Sequence, residues 1–213
     1  MRYFKKQQII DFFSILNNAG VEYILLRNIN NELPTKLSVN KDIDLIIIEE
    51  DLHLLQVSLI QNNWREIPHP HHALPFLYNM CPFKFYEKEG LHIDICCQLC
   101  CRSLNNGEFF PLDMQIQRDI WLNKIATSNT PWKYRLSIED EFLHLITRCI
   151  FDKKRFEEEY IKEINCLFTK CNKSVILDKF EIVFFKFSKN LIKLIESELF
   201  NEIIDSYLKF QEY

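Results

Sequence analysis

The stretch Lys41-Asp42-Ile43-Asp44-Leu45-Ile46-Ile47-Ile48 sets two carboxylates at the head of an unbroken aliphatic run. Branched aliphatic residues at that density predict a buried strand, here Asp42 to Ile48. Side chains two apart on a strand leave the same face, so Asp42 and Asp44 stand side by side while Ile43 points the other way. Carboxylates in such a run need a partner that compensates for their desolvation. Two hard oxygen ligands on a rigid element suit one or two magnesium ions. A third acid has a similar setting in His92-Ile93-Asp94-Ile95. If the two strands pair, Asp42, Asp44 and Asp94 converge at one spot.

Around these strands the chain alternates helix and strand, then turns helical. Ile9, Phe13 and Leu16 recur at helical spacing and Gly20 stands where a helix ends. Glu22 to Arg27 reads as a short buried strand. A polar connection with Pro34 leads to the aspartate strand, and Asp51 begins a helix with Leu52, Leu55 and Leu59 on one stripe. Phe83 to Tyr86 and Leu91 to Ile95 predict a hairpin across Glu87-Lys88-Glu89-Gly90. From Pro131 onward three helices are expected. Ser137 opens one with Asp140 three residues on, a capping-box-like start. Phe156, Tyr160, Ile164 and Leu167 define a second. Ile192, Ile195, Leu199 and Ile203 define a third, long one, while the period over Ile182 to Phe187 is ambiguous. The fold class is therefore α+β, with an α+β domain over 1–130 and a helical C-terminal region over 131–213.

Composition narrows the functional classes. The net charge of −4 gives no overall basic field, so no dedicated nucleic-acid binding is expected. Three glycines in 213 residues exclude glycine-rich phosphate loops. No apolar stretch approaches the roughly 18–20 residues of a membrane span, and the polar N-terminus is unlike an export signal. A cytoplasmic location without membrane attachment is the expectation, and disulfides are not. Cys96, Cys97, Cys100 and Cys101 form a CCxxCC cluster in which Cys97 and Cys100 have zinc-type spacing, with His92 nearby. A second ligand pair is missing, which favours reduced thiols. His69-Pro70-His71-His72 lies in a proline-marked loop, open to a metal or a substrate but ordinary for solvated histidines.

The order of a Tyr23-Ile24-Leu25-Leu26-Arg27-Asn28 strand, an Asp-x-Asp strand and a later strand bearing Asp94 resembles the nucleotidyltransferase superfamily, the polymerase-beta-like fold, over roughly residues 8–100. Leu136 to Leu145 is similar, less specifically, to the helical tail of bacterial small-acceptor members. The resemblance implies a mixed sheet flanked by helices and followed by a helical C-terminal region. It also implies transfer of a nucleoside monophosphate from an NTP to a small acceptor, for instance a sugar or polyol phosphate of surface-polysaccharide metabolism. Asp42, Asp44 and Asp94 would be the catalytic magnesium ligands, Asp42 and Asp44 on an ion bridging the nucleotide phosphates and Asp94 sharing a second, catalytic ion and helping to deprotonate the acceptor. Arg27, Asn28 and Lys41 would bind the triphosphate, and His92, on the strand face of Asp94, would be an accessory group. The chain departs from the family in carrying Arg27-Asn28 where a Gly-Ser pair is usual. A catalytically silent scaffold, or an antitoxin-like binding protein, is the alternative.

Overall fold

The computed structural model describes residues 2–69, 76–78, 80–103 and 107–210. Ile9, Phe12, Phe13 and Leu16 give the first helix, α1 (Lys6–Ala19), one fully buried face. Gly20 ends it in the left-handed region, φ 79°, where a β-carbon would strain the backbone. The next elements are β1 (Tyr23–Leu25), β2 (Ile43–Ile47), α2 (Leu52–Gln61), β3 (Arg65–Ile67), β4 (Phe76–Leu77), β5 (Lys84–Lys88) and β6 (Leu91–Cys96). They are followed by β7 (Cys100–Arg102), β8 (Glu108–Pro111), α3 (Met114–Leu122), β9 (Ile125–Ala126) and β10 (Tyr134–Arg135). The helical part comprises α4 (Ile138–Thr147), a π-helical turn Arg148–Lys153, α5 (Glu158–Phe168), α6 (Lys173–Phe184), α7 (Ser188–Glu196) and α8 (Phe200–Lys209). No helix of the described residues is long and apolar enough to cross a membrane.

The strands form a mixed sheet in the order β3-β5-β6-β2-β1-β10-β9, with β4-β8-β7 as a small second sheet. The β5–β6 hairpin turns at Glu89 and Gly90, both at positive φ (51° and 82°), the geometry that matches strand twist in a two-residue turn. Strand alternation then divides the core in two. Tyr23, Leu25, Ile43, Leu45, Ile47, Ile93 and Ile95 pack with α1 and α2. Ile24, Leu26 and Ile46 face the other way and pack with residues of α3 to α8. Asp42, Asp44 and Asp94 share the parity of Ile46, so they lie on the side covered by the C-terminal helices.

Several sequence expectations are corrected. The hairpin turns at Glu89 and Gly90 rather than across Glu87 to Gly90, and Lys173–Phe184 is a helix, α6, where the sequence offers only an ambiguous period over Ile182 to Phe187. The aspartate strand begins at Ile43 rather than Asp42, which leaves Asp42 exposed just before it. The long C-terminal helix is two helices, α7 and α8, broken where Glu198 adopts φ 55°. Hydrophobic spacing continues across that break because the corner turns without moving the apolar face away from the core: Ile195 and Ile203 are buried, while Leu199 is 41% exposed.

Ser137 caps α4 by accepting from the N–H of Asp140, and its hydroxyl donates to the Asp140 carboxylate at 2.6 Å. The buried Asp140 carboxylate also meets Lys179 Nζ at 2.8 Å, and the same ammonium reaches Asp119 at 3.1 Å. This ion cluster ties α3, α4 and α6 together inside the helical layer. Removing one member strands a buried charge, so Lys179→Met is expected to lower the unfolding free energy by about 3–5 kcal/mol. Urea denaturation measures it, and an unchanged midpoint would contradict a structural role for the cluster.

Candidate active site

Strands β2 and β6 run parallel with Asp44 directly opposite Asp94. That register, with Asp42 two residues earlier, brings carboxylate oxygens of all three acids within 4.8 Å of one another. Among the described residues this is the group of His, Cys, Asp and Glu side chains close enough to share a metal. Its donors are three hard carboxylate oxygens, the chemistry of a divalent ion such as magnesium or manganese. The charge is incompletely balanced. Asp94 is pushed up to about 8 by burial and then by the neighbouring Asp42 and Asp44 charges. A cation between these groups would relieve that repulsion, so the residues fit one.

The first strand delivers a cation of its own. The Leu26 N–H donates to the Asp44 carbonyl at 3.1 Å, continuing the β1–β2 ladder and setting Arg27 beside Asp44. The Arg27 guanidinium forms an ion pair with the Asp44 carboxylate, and its Nη1 donates to the Tyr160 hydroxyl at 3.2 Å. Burial opposes the guanidinium charge, but Asp44, then Tyr160 and Asp42, hold it protonated. Burial likewise pushes Asp44 up, yet Arg27 and Arg148 bring it below the usual carboxylate range.

Two cavities meet at the acids. One, of about 160 Å³, is lined by Phe83, Phe85, Phe109 and His69 together with Arg102, His144 and Arg148. The other, of about 450 Å³, is polar and lined by Arg27, Asn28, Lys41, Lys153 and Tyr160. Asp42, Asp44, Arg102, Arg148 and Asp152 border both. Lys41 is held by Glu32 at 2.7 Å and Glu159 at 3.3 Å. The side-chain oxygen of Asn28 accepts from the Leu33 N–H at 2.9 Å, and the positive-φ positions after β1 are Asn30 and Asn31, not Asn28. His92 is exposed on β6 and lines neither cavity.

Sequence reading missed the groups that the helical layer brings in. His144, Arg148 and Asp152 recur at intervals of four, a polar stripe within the apolar run of α4 and its π-helical continuation. Wide helical turns of this kind often accompany functional sites. The stripe itself was visible in the sequence, but not what it faces. Asp152 accepts from the Arg102 N–H at 2.9 Å and pairs with Arg148 at 3.5 Å, which joins β7 to the stripe. His144 is buried with Nε2 unpartnered, and burial, then Arg27 and Arg148, lower it to about 3.

The cysteine cluster is of another kind. Cys96 ends β6 while Cys100 and Cys101 open β7, and burial raises all three thiols well above their ordinary value. Such protonated thiols are poor ligands and nucleophiles. Of His69-Pro70-His71-His72, only His69 lies within the described residues, packed edge-on to Phe85 with ring centroids 4.8 Å apart.

No protein-family model matches the sequence, and no curated relative is found by sequence. By fold, the chain is similar to the solution structure of the antibiotic-resistance factor ANT(2'')-Ia. The TM-score is 0.51 at 8% identity, covering 91% of this chain and 97% of that one. A crystal structure of ANT(2'')-Ia in complex with adenylyl-2''-tobramycin aligns at TM-score 0.48 and 9% identity, over 80% of this chain and 91% of that one. At such identities the likeness concerns the fold.

Two measurements check the electrostatics. With Asp94 pushed up to about 8, a cation must displace its proton below that pH, so Mn²⁺ affinity should rise about tenfold per pH unit and level off above pH 8. An affinity that does not change between pH 6 and 9 would contradict the crowding of the three carboxylates. The imidazole of His144 should stay neutral throughout, with nitrogen chemical shifts unmoved from pH 8 down to 5. A midpoint near the ordinary histidine value of about 6.5 would show the ring to be solvated.

Proposed function

We propose, from the premise that this chain has the nucleotidyltransferase fold of the polymerase-beta-like superfamily, that it is a magnesium-dependent nucleotidyltransferase. It moves a nucleoside monophosphate from an NTP to a small acceptor. The observation that carries this reading is the convergence of Asp42, Asp44 and Asp94 at the meeting of two chemically different cavities. In-line displacement needs donor and acceptor on opposite sides of the reacting phosphorus, which suits such a junction.

The polar cavity suits the triphosphate, with Lys41, Lys153 and Arg148 along it. The aromatic cavity suits the acceptor, and Arg102 and Arg148, which border both cavities, would also meet a phosphate on it, as in a sugar or polyol phosphate. Asp42, Asp44 and Asp94 would hold Mg²⁺. When bound, the ion neutralises charge on the α-phosphate and the departing pyrophosphate. The acceptor oxygen attacks the α-phosphorus, a new P–O bond forms as the bond to pyrophosphate breaks, and Asp94 receives the acceptor's proton. Asp94 lies opposite Asp44 on β6 and lines the aromatic cavity, where the acceptor would stand. The helices after β10 contribute to the lining, His144 to the aromatic cavity, Tyr160 to the polar one, and Arg148 and Asp152 to both.

The test is pyrophosphate release from each of the four NTPs with Mg²⁺ and a panel of sugar and polyol phosphates. Release is expected with at least one pair, and Asp44→Ala should reduce it by about a hundredfold or more. Equal release from Asp44→Ala would refute the metal-centred reading. NTP binding without any release would favour the silent scaffold instead.

A further inference from the structure

Arg27 does more than border the polar cavity. Its side chain is only 9% exposed, it is paired with Asp44, and it is steadied by the Tyr160 hydroxyl. Its Nε is buried with no hydrogen-bond partner among the described residues, so the guanidinium has a donor to spare beyond Asp44 and Tyr160. The guanidinium stays charged under all working conditions and cannot leave Asp44 without stranding both charges in a buried setting. Two-metal sites place a second cation about 3.5–4 Å from the first, each drawing on the shared carboxylates. In this protein a cation already engages the central carboxylate. Three carboxylates less one guanidinium leave a formal charge of −2, the complement of one divalent ion.

We propose that Arg27 takes the place of one of two metal ions in this centre, so that the protein binds a single divalent ion among Asp42, Asp44 and Asp94, with the guanidinium bridging the second Asp44 oxygen to a phosphate of the donor. This rests on the nucleotidyltransferase reading of the site. It gives Arg27, at the exit of β1, a positive role: the chain supplies a fixed charge at the Asp44 carboxylate.

The test counts Mn²⁺ by electron paramagnetic resonance on the full chain, with α,β-methylene analogues of the four NTPs present. The wild type should give the spectrum of an isolated ion, one per chain, removed by Asp94→Asn. Arg27→Met should bind two ions per chain with the broadened spectrum of a coupled pair, and Arg27→Lys should return to the isolated form. A coupled pair in the wild type would overturn the proposal while leaving the metal-centred function intact. A single isolated ion in Arg27→Met, with its circular dichroism unchanged, would also overturn it. Should Arg27→Met fail to fold, the wild-type count alone decides. No Mn²⁺ sensitive to Asp94→Asn in the wild type would overturn both readings together.

Discussion

The parallel pairing of β2 with β6, Asp44 against Asp94, is the constraint from which the rest of the site follows. A slip of one residue in that register would turn one strand's acids to the opposite face of the sheet. The apolar residues between the acids prevent it. Ile43, Leu45, Ile93 and Ile95 are all buried against the α1–α2 side, so the acids must face the helical layer. The antiparallel pairing of β1 with β2 then carries Arg27 to Asp44. One sheet register thus fixes both the negative cluster and the positive group that partly balances it.

Stability and function pull against each other here. Three acids within 4.8 Å repel, His144 is held neutral by burial, and Arg148 Nε is left without a partner. None of this favours the fold. Compensation lies elsewhere, in two well-packed cores on either side of the sheet and in the Lys179 ion cluster that holds the helical layer together. A site carrying uncompensated charge on a rigid scaffold is what a protein poised to bind a cation and an anionic substrate requires.

What was legible in the sequence was local. The aspartate strand, the existence of the β5–β6 hairpin, α1 ending at Gly20 and the Ser137 cap all follow from period, turn chemistry or capping, which act within a few residues; the hairpin's turn is shorter than the Glu87 to Gly90 the sequence suggested. Arg27 stood out by type, but its pairing with Asp44 depends on which strands are neighbours in the sheet. The contributions of Arg102, His144, Arg148 and Asp152 were hidden for the same reason, since each lines the site only once the small second sheet and the helices pack beside the acids. The α7–α8 corner escaped because Ile192, Ile195 and Ile203 keep helical spacing across a backbone turn at Glu198. The short strands β4, β9 and β10, two residues each, carry too few positions to show alternation.

The fold likeness, at 8% identity, leaves the chemistry to rest on the acids themselves. The most direct test is anomalous diffraction from crystals soaked in Mn²⁺. The account predicts a peak within coordination distance of Asp42, Asp44 and Asp94, on the face of the sheet covered by the helical layer. Saturating Mn²⁺ with no peak at these acids, or a peak confined to the surface, would contradict it.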